Sequence, residues 1–161
     1  RRAGAAGDGL MLSRTQPRDP EAPNASLADL QNPIIDAYLA ALPPGAAPRI
    51  LGSRSVFIAD DGAEARRLAE AGLRRYATRL RGLGRPAPDE SLDAMIARFD
   101  VHLGTPDEVA ASLRADATLE RATDIAVQVH SADPPHPFIL RSLELFATQV
   151  APALGWTRPA P

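Results

Sequence analysis

Short apolar runs alternate with longer helical patterns along this chain, and this alternation limits the folds open to it. Three such runs occur, at residues 10–12, 49–59 and 124–130. Strands separated by helices cannot form hairpins, so they pair in parallel through right-handed crossovers. The order therefore predicts an α/β fold with a parallel sheet of three visible strands.

The residues at the ends of the helical patterns predict where each helix begins. Residues 15–25 are polar and rich in proline, which indicates a loop. Ser26 and Asp29 resemble a capping box, but Pro33 would interrupt a helix that began there. We therefore expect that helix to begin with Asn32 as N-cap, and to end near Leu42.

Later helices have clearer signals. Asp61 precedes an amphipathic pattern whose arginine face we expect to be solvated rather than to bind phosphate. Further helices are predicted after Ser91 and after Thr105, where a proline and two acidic residues follow. The apolar face of the last helix is predicted to carry Ile139, Leu143, Phe146, Val150 and Leu154.

Composition excludes several kinds of chemistry. The 161 residues include no cysteine, and all 18 basic residues are arginine, which rules out thiolate sites, a P-loop lysine and Schiff-base catalysis. A net charge of −2 predicts no nucleic-acid partner. Because the sequence has no apolar run of roughly 18 residues and no apolar stretch near its start, we expect a cytoplasmic protein without membrane contact.

Four segments, in this order, resemble landmarks of the luciferase-like flavin-dependent monooxygenases, the family of the bacterial luciferase and alkanesulfonate monooxygenase type. Residues 5–14 (AAGDGLMLSR) are similar to the sixth-strand region of that family, and residues 55–65 (SVFIADDGAEA) to its seventh strand and following helix. Residues 103–110 (LGTPDEVA) resemble a helix start that is frequent in the family. Residues 143–152 resemble its closing helix, which often ends in Val-x-Pro.

The resemblance implies that residues 1–155 are the C-terminal portion, about three βα units, of a (β/α)8 TIM-type barrel, with a loose tail at 156–161. Residues 82–103 interrupt the seventh helical unit, and they are either a mobile lid on the active-site side or a plain surface insertion. The resemblance also implies reduced FMN, supplied by a flavin reductase, and O2 as reactants that oxygenate a small organic substrate, with a homo-oligomer as the expected assembly. Some relatives instead use the deazaflavin F420 and transfer hydride. The family's flavin-phosphate segment before the sixth strand is not in this sequence.

Site residues are expected at the carboxyl ends of the strands, where barrel enzymes place their active sites. The resemblance implies that Ser13 and Arg14, after the first run, bind the cofactor. The alternatives are a turn hydroxyl for Ser13 and a solvated pair with Asp19 for Arg14. Alternation in the third run places Gln128 and His130 on one face, where His130 is the catalytic candidate and Gln128 the substrate-binding one. The alternative for His130 is a side chain that caps the end of the strand with its ring partly in water.

The sequence also suggests two other interpretations. His130, Asp133 and His136 suggest a metal site, but the prolines between them break helical spacing, so no metal is predicted. The chain is alternatively a non-catalytic half-barrel that works by association with a partner chain, since three parallel strands leave open edges. Residues 1–6 resemble the tail of a helix that leads into the first strand, which favours the truncated enzyme over the half-barrel.

Overall fold

The computed structural model describes residues 1–87, 91–130 and 133–156. Contacts divide the chain into two compact units, one of residues 1–54 with 116–127 and one of residues 55–115 with 128–161. The strand of residues 50–58 is divided between them, since residues 50–54 belong to the first unit and residues 55–58 to the second.

The first unit begins with a short helix and a short strand, α1 (Arg2–Ala6) and β1 (Leu10–Leu12). Helix α2 (Leu27–Leu39) leads to β2 (Ile50–Ile58), and β1 pairs with β2 in parallel, with Leu10 opposite Ile50. A 3-10 turn at Leu119–Arg121 precedes β4 (Asp124–Gln128), which also pairs with β2. The predicted strands and their parallel pairing at β1 are confirmed.

Side chains from β1, α2 and β2 form the core of the first unit. Leu12, Ile35, Tyr38 and Ile50 are all buried there. The Tyr38 hydroxyl donates to the Asp8 carbonyl at 2.9 Å and accepts from the Arg49 backbone N–H at 3.2 Å. These bonds satisfy the polar end of an otherwise apolar side chain at the start of both strands.

The predicted start of α2 at Asn32 is wrong, because the helix begins after Ser26. Ser26 and Asp29 form a complete capping box, with the Asp29 N–H donating to Ser26 Oγ at 3.1 Å and the Ser26 N–H donating to Asp29 Oδ2 at 2.9 Å. Pro33 lies inside the helix and removes one N–H from its ladder. The capping bonds and the buried face of the helix outweigh that loss.

The second unit contains α3 (Gly62–Gly82), α4 (Leu92–Arg98), β3 (Val101–Gly104) and α5 (Pro106–Arg114). Its last helix is α6 (His136–Leu145), which continues through a π turn at Phe146–Val150 into α7 (Ala151–Ala153). Strand β3 pairs in parallel with β2, with Ser55 opposite Val101. The prediction of three strands missed β3, because four residues carry too little alternation to indicate a strand.

The predicted helix starts in this unit are confirmed. Asp61, Ser91 and Thr105 are the N-caps of α3, α4 and α5, and each side chain accepts a hydrogen bond from the backbone three residues later. The amphipathic pattern of α3 also holds, since its small apolar side chains pack against the core. That core consists of Phe57, Ala59, Ala65, Ala69, Leu73, Ala77, Met95 and Val101.

The predicted face of the last helix is partly wrong. Leu143 is 44 % exposed, whereas Ser142, Leu145 and Val150 are buried. The buried face is shifted for two reasons. The Ser142 hydroxyl points into the unit, where it accepts a hydrogen bond from the Ile58 N–H. The π turn at Phe146–Val150 also adds a residue to one helical turn. In the described part of the chain, no helix is both long enough and apolar enough to cross a membrane.

Residues 88–90 of the predicted lid at 82–103 lie outside the described residues. The described part consists of the end of α3, all of α4 and most of β3. Of the predicted tail at 156–161, residues 157–161 likewise lie outside the described residues.

Candidate active site at the carboxyl end of the fourth strand

Gln128 and His130 lie together at the carboxyl end of β4. The Gln128 Nε2 atom is 2.7 Å from the His130 Nε2 atom. Val129 between them is buried, while Gln128 is half-buried and His130 is exposed. Because Val129 and His130 already belong to a turn, the alternation of the strand does not extend to His130, and the evidence that the two side chains meet is this contact itself.

A turn tied to α3 holds the backbone that carries His130. The His130 carbonyl accepts from the Asp133 N–H at 2.9 Å, and Asp133 has a φ of +50°. The Arg75 guanidinium donates to Asp133 Oδ2 through Nη2 at 2.7 Å and through Nε at 3.2 Å, and to the Asp133 carbonyl at 3.0 Å. The strand predicted over 124–130 ends at Gln128, because Val129 and His130 belong to a turn.

These contacts give Arg75 and Asp133 a role that the sequence did not indicate. The arginine face of α3 is exposed, as predicted, but Arg75 anchors the turn after β4. The Asp133 carboxylate accepts from this guanidinium.

Within the described residues, no group of three or more His, Asp and Glu side chains is arranged to hold a metal ion.

A second polar cluster lies at the carboxyl end of β2. Arg141 of α6 donates to both oxygens of Asp60, through Nε at 2.9 Å and Nη2 at 2.6 Å, and to Glu144 through Nη1 at 2.7 Å. Asp61 next to it caps α3 by accepting from the Glu64 N–H at 2.7 Å. The two aspartates therefore have different roles: Asp61 caps α3, and Asp60 binds Arg141.

The electrostatics of this cluster keep Asp60 and Arg141 charged. Hydrogen bonds from Arg141 lower the pKa of Asp60 and outweigh the opposing effect of desolvation. The same bond, with a second one to Glu144, raises the pKa of Arg141 above its already high ordinary value. Because Asp60 is ionised at neutral pH, it is suited to holding α6 against β2 and not to donating a proton.

Replacing Asp60 by Asn should remove a pH-dependent part of the stability. A carboxyl whose pKa is lowered by folding stabilises the folded state above its unfolded pKa of about 4, and this contribution is lost as pH falls through the folded value. The difference in Tm between the wild type and Asp60→Asn should therefore be largest near neutral pH and shrink below about pH 4. Thermal melts from acid to neutral pH measure this.

A double-mutant cycle supplies the control for this prediction. In the Arg141→Gln background, Asp60→Asn should change the Tm by a similar amount at every pH, because the partner that lowers the pKa is gone. A pH-independent difference in the wild-type background would contradict the role given to the Asp60–Arg141 pair.

Ser13 and Arg14 belong to the first unit, whereas Gln128 and His130 belong to the second. Ser13 is exposed, and its Oγ accepts from the Thr15 N–H at 3.2 Å and lies 3.2 Å from Thr15 Oγ1. This arrangement matches the turn-hydroxyl alternative for Ser13, while Arg14 is half-buried beside it. The structure thus brings Gln128 and His130 together and keeps Ser13 and Arg14 as neighbours after β1.

Gln31 is a residue of this region that the sequence predictions missed. It is fully buried, and its Nε2 donates to the Ser13 carbonyl at 2.9 Å. A signal was available, since Gln31 lies four residues after Leu27 and four before Ile35 on the buried face of α2. A polar side chain on such a face usually has a partner to hold.

FMN needs donors or a cation for its phosphate and a largely apolar slot for its ring. Arg14, with the hydroxyls of Ser13 and Thr15, fits the phosphate in charge and in donor type. The N-termini of α3 and α5 do not fit, because each is capped and carries a glutamate, Glu64 or Glu108, in its first turn. In charge and donor type, Ser13, Arg14 and Thr15 thus fit the phosphate end of FMN.

No protein-family model and no curated protein matches this chain. Solved structures do match. The monooxygenase RslO1 from Streptomyces bottropensis is 28 % identical, with a TM-score of 0.64 over 94 % of this chain and 43 % of its own. The oxygenating constituent of 3,6-diketocamphane monooxygenase from the CAM plasmid of Pseudomonas putida, a type II Baeyer–Villiger monooxygenase in complex with FMN, is 22 % identical, with a TM-score of 0.54 over 95 % of this chain and 44 % of its own.

The EDTA monooxygenase from Chelativorans sp. BNC1 is 19 % identical, with a TM-score of 0.54 over 92 % of this chain and 44 % of its own. This chain therefore spans less than half the length of each of these structures. Almost all of this chain has the fold of a part of these monooxygenases.

Proposed function

We propose that this chain is the C-terminal portion of a (β/α)8 barrel in a luciferase-like flavin-dependent monooxygenase. The observation that carries the proposal is the match of 94 % of the chain to a monooxygenase at a TM-score of 0.64 and 28 % identity. A second line of support is that the four family landmarks of the sequence fall on β1, on β2 with α3, on the start of α5 and on the last helix.

The proposed reaction is the oxygenation of a small organic substrate with reduced FMN and O2. When bound, reduced flavin would supply the two electrons with which one oxygen atom of O2 enters the substrate while the other leaves as water. The protein's part is to bind, to orient and to exclude water. We assign phosphate contacts to Ser13 and Arg14, and contacts near the reacting atoms to His130.

A flavin titration of the native protein tests this proposal. The intact mass from the native source identifies the polypeptide to use, and that polypeptide is titrated without oxygen with reduced FMN, oxidised FMN and F420. We expect binding of reduced FMN, and we expect Arg14→Gln to weaken it by about tenfold, because a charge-assisted hydrogen bond is lost. Arg2→Gln, at an exposed position of α1, is the control and should bind as the wild type does.

The outcomes of this titration separate the alternatives. Binding of F420 without binding of FMN would indicate that the protein is a relative that transfers hydride, and not an oxygenase. Binding of no flavin by a folded protein would refute the proposal. Equal loss in Arg14→Gln and Arg2→Gln would refute the role of Arg14 alone.

One observation favours the half-barrel that associates with a partner chain. Met11 lies in the middle of parallel strand β1 and is 74 % exposed, although parallel sheets are usually covered on both faces. An intact mass close to that of these 161 residues, with Met11→Lys weakening self-association, would support this second function. An intact mass about twice as large would instead support the monooxygenase.

A further inference from the structure

We infer that Gln128 is a positioning residue for His130: its amide holds the imidazole in the tautomer that carries the proton on Nδ1. His130 then presents an Nδ1–H donor to an oxygen atom of a bound ligand. Only the identity of that ligand rests on the proposed monooxygenase function. The inference replaces the substrate-binding role that the sequence suggested for Gln128.

The hydrogen-bonding capacities of the two side chains carry the first step. The closest atoms are Gln128 Nε2 and His130 Nε2, at 2.7 Å. An amide nitrogen can only donate, so the imidazole nitrogen that faces it must accept. A neutral imidazole that accepts at Nε2 carries its proton on Nδ1, and this second nitrogen is therefore the donor.

The surroundings of the pair carry the second step, which is preorganisation. Val129, which lies between them in the sequence, is 3 % exposed, and its burial fixes the backbone at the point where β4 ends. The Arg75–Asp133 contacts hold Asp133, whose backbone N–H donates to the His130 carbonyl. A donor that is supported from two sides in this way loses little entropy when it binds an acceptor.

His102 provides an internal comparison. Its Nδ1 atom lies 2.8 Å from Ser112 Oγ, and a hydroxyl can either donate or accept. That contact therefore does not select a tautomer, in contrast to the Gln128 amide.

Nitrogen NMR of the full native protein labelled with 15N-histidine tests the inference without flavin or substrate. At about pH 8.5, where ordinary histidines are neutral, the His130 ring should be protonated at Nδ1 in the wild type. His130→Asn assigns its signals. Gln128→Leu should give a mixture of tautomers, and Gln128→Glu should reverse the preference to Nε2–H, because a carboxylate only accepts. Gln149→Leu, at an exposed position of the last helix, should leave the His130 signals unchanged.

Two results would overturn the inference: an Nε2–H tautomer in the wild type, or an unchanged tautomer in Gln128→Leu. Neither depends on whether the protein binds FMN, so the inference and the proposed function can fail separately. If the monooxygenase activity is found, Gln128→Leu should lower kcat, and adding it to His130→Asn should change kcat less than about twofold further. A raised KM with the wild-type tautomer in Gln128→Leu would instead make Gln128 a substrate contact.

Discussion

Replacing Asp116 by Ala should lower the free energy of unfolding by about 3–5 kcal/mol. Asp116 is the partner of Arg54, a β2 residue whose side chain is fully buried. The guanidinium donates to both carboxylate oxygens, through Nε at 2.6 Å and Nη2 at 3.1 Å. Without Asp116, a buried positive charge loses the carboxylate that compensates it.

The same carboxylate also organises the turn before β4. Asp116 Oδ1 accepts from the N–H groups of Thr118 at 2.9 Å and Leu119 at 3.3 Å. Alanine would therefore leave two backbone donors without this acceptor, in addition to the unpaired guanidinium. Asp116→Asn keeps an acceptor for the turn and removes the charge, so it should cost less than Asp116→Ala.

Urea unfolding at neutral pH measures the loss, and an exposed pair supplies the control. Arg66 Nη2 and Asp93 Oδ1 are also 2.6 Å apart, but their side chains are 48 % and 77 % exposed. Asp93→Ala should cost no more than about 1 kcal/mol, since exposed ion pairs contribute little. Equal losses in Asp93→Ala and Asp116→Ala would contradict the argument from burial.

A second variant keeps this prediction testable if Asp116→Ala does not fold. Arg54→Met combined with Asp116→Ala removes both charges, and it should recover most of the lost stability, because apolar replacement of a whole buried pair is often neutral. A double variant that is less stable than Asp116→Ala would show that the unpaired guanidinium does not cause the loss, and it would contradict the argument from the buried charge.

Local signals in the sequence were sufficient for much of the fold. The helix starts at Asp61, Ser91 and Thr105 depend on contacts within four residues, and they were predicted correctly because a capped start needs no distant partner. The error at α2 has the same origin. There, the capping box at Ser26 and the interruption at Pro33 compete locally, and the buried packing that decides between them is not local.

Elements that depend on distant contacts could not be predicted. Strand β3 has four residues, and its pairing with residues 55–58 of β2 is what makes it a strand. Arg54 and Asp116 are 62 residues apart, and Asp60 and Arg141 are 81 residues apart. No spacing rule connects such pairs, so the sequence alone left each residue without its partner.

The candidate site shows the same division. The pattern of the third run predicted that Gln128 and His130 lie on one face, and their side chains are in contact although the strand ends at Gln128. The anchoring of their turn by Arg75 joins residues 58 apart in sequence and was not predicted. The prediction of a solvated arginine face on α3 was therefore correct about the exposure of Arg75, but it missed the contact of Arg75 with Asp133.

Replacing Ser142 by Ala should lower the free energy of unfolding by about 1–3 kcal/mol. The buried Ser142 hydroxyl accepts from the Ile58 backbone N–H at 2.9 Å, at the carboxyl end of β2. Its neighbour Arg141 binds Asp60, so two adjacent residues of α6 attach this helix to the end of β2. Alanine leaves the Ile58 N–H buried without its acceptor, and the attachment then depends on an exposed ion pair.

Hydrogen exchange at the Ile58 amide is the direct measurement of this attachment. In Ser142→Ala it should exchange roughly tenfold to a hundredfold faster than in the wild type, in line with the expected loss of stability. Thr148→Ala is the matched control on the same helix, because Thr148 Oγ1 donates to the Glu144 carbonyl at an exposed position. That variant should leave the Ile58 rate unchanged, since no buried backbone donor loses its partner. A slow Ile58 amide in Ser142→Ala would mean that another group holds the end of β2, and the attachment of α6 would then rest on Arg141 alone.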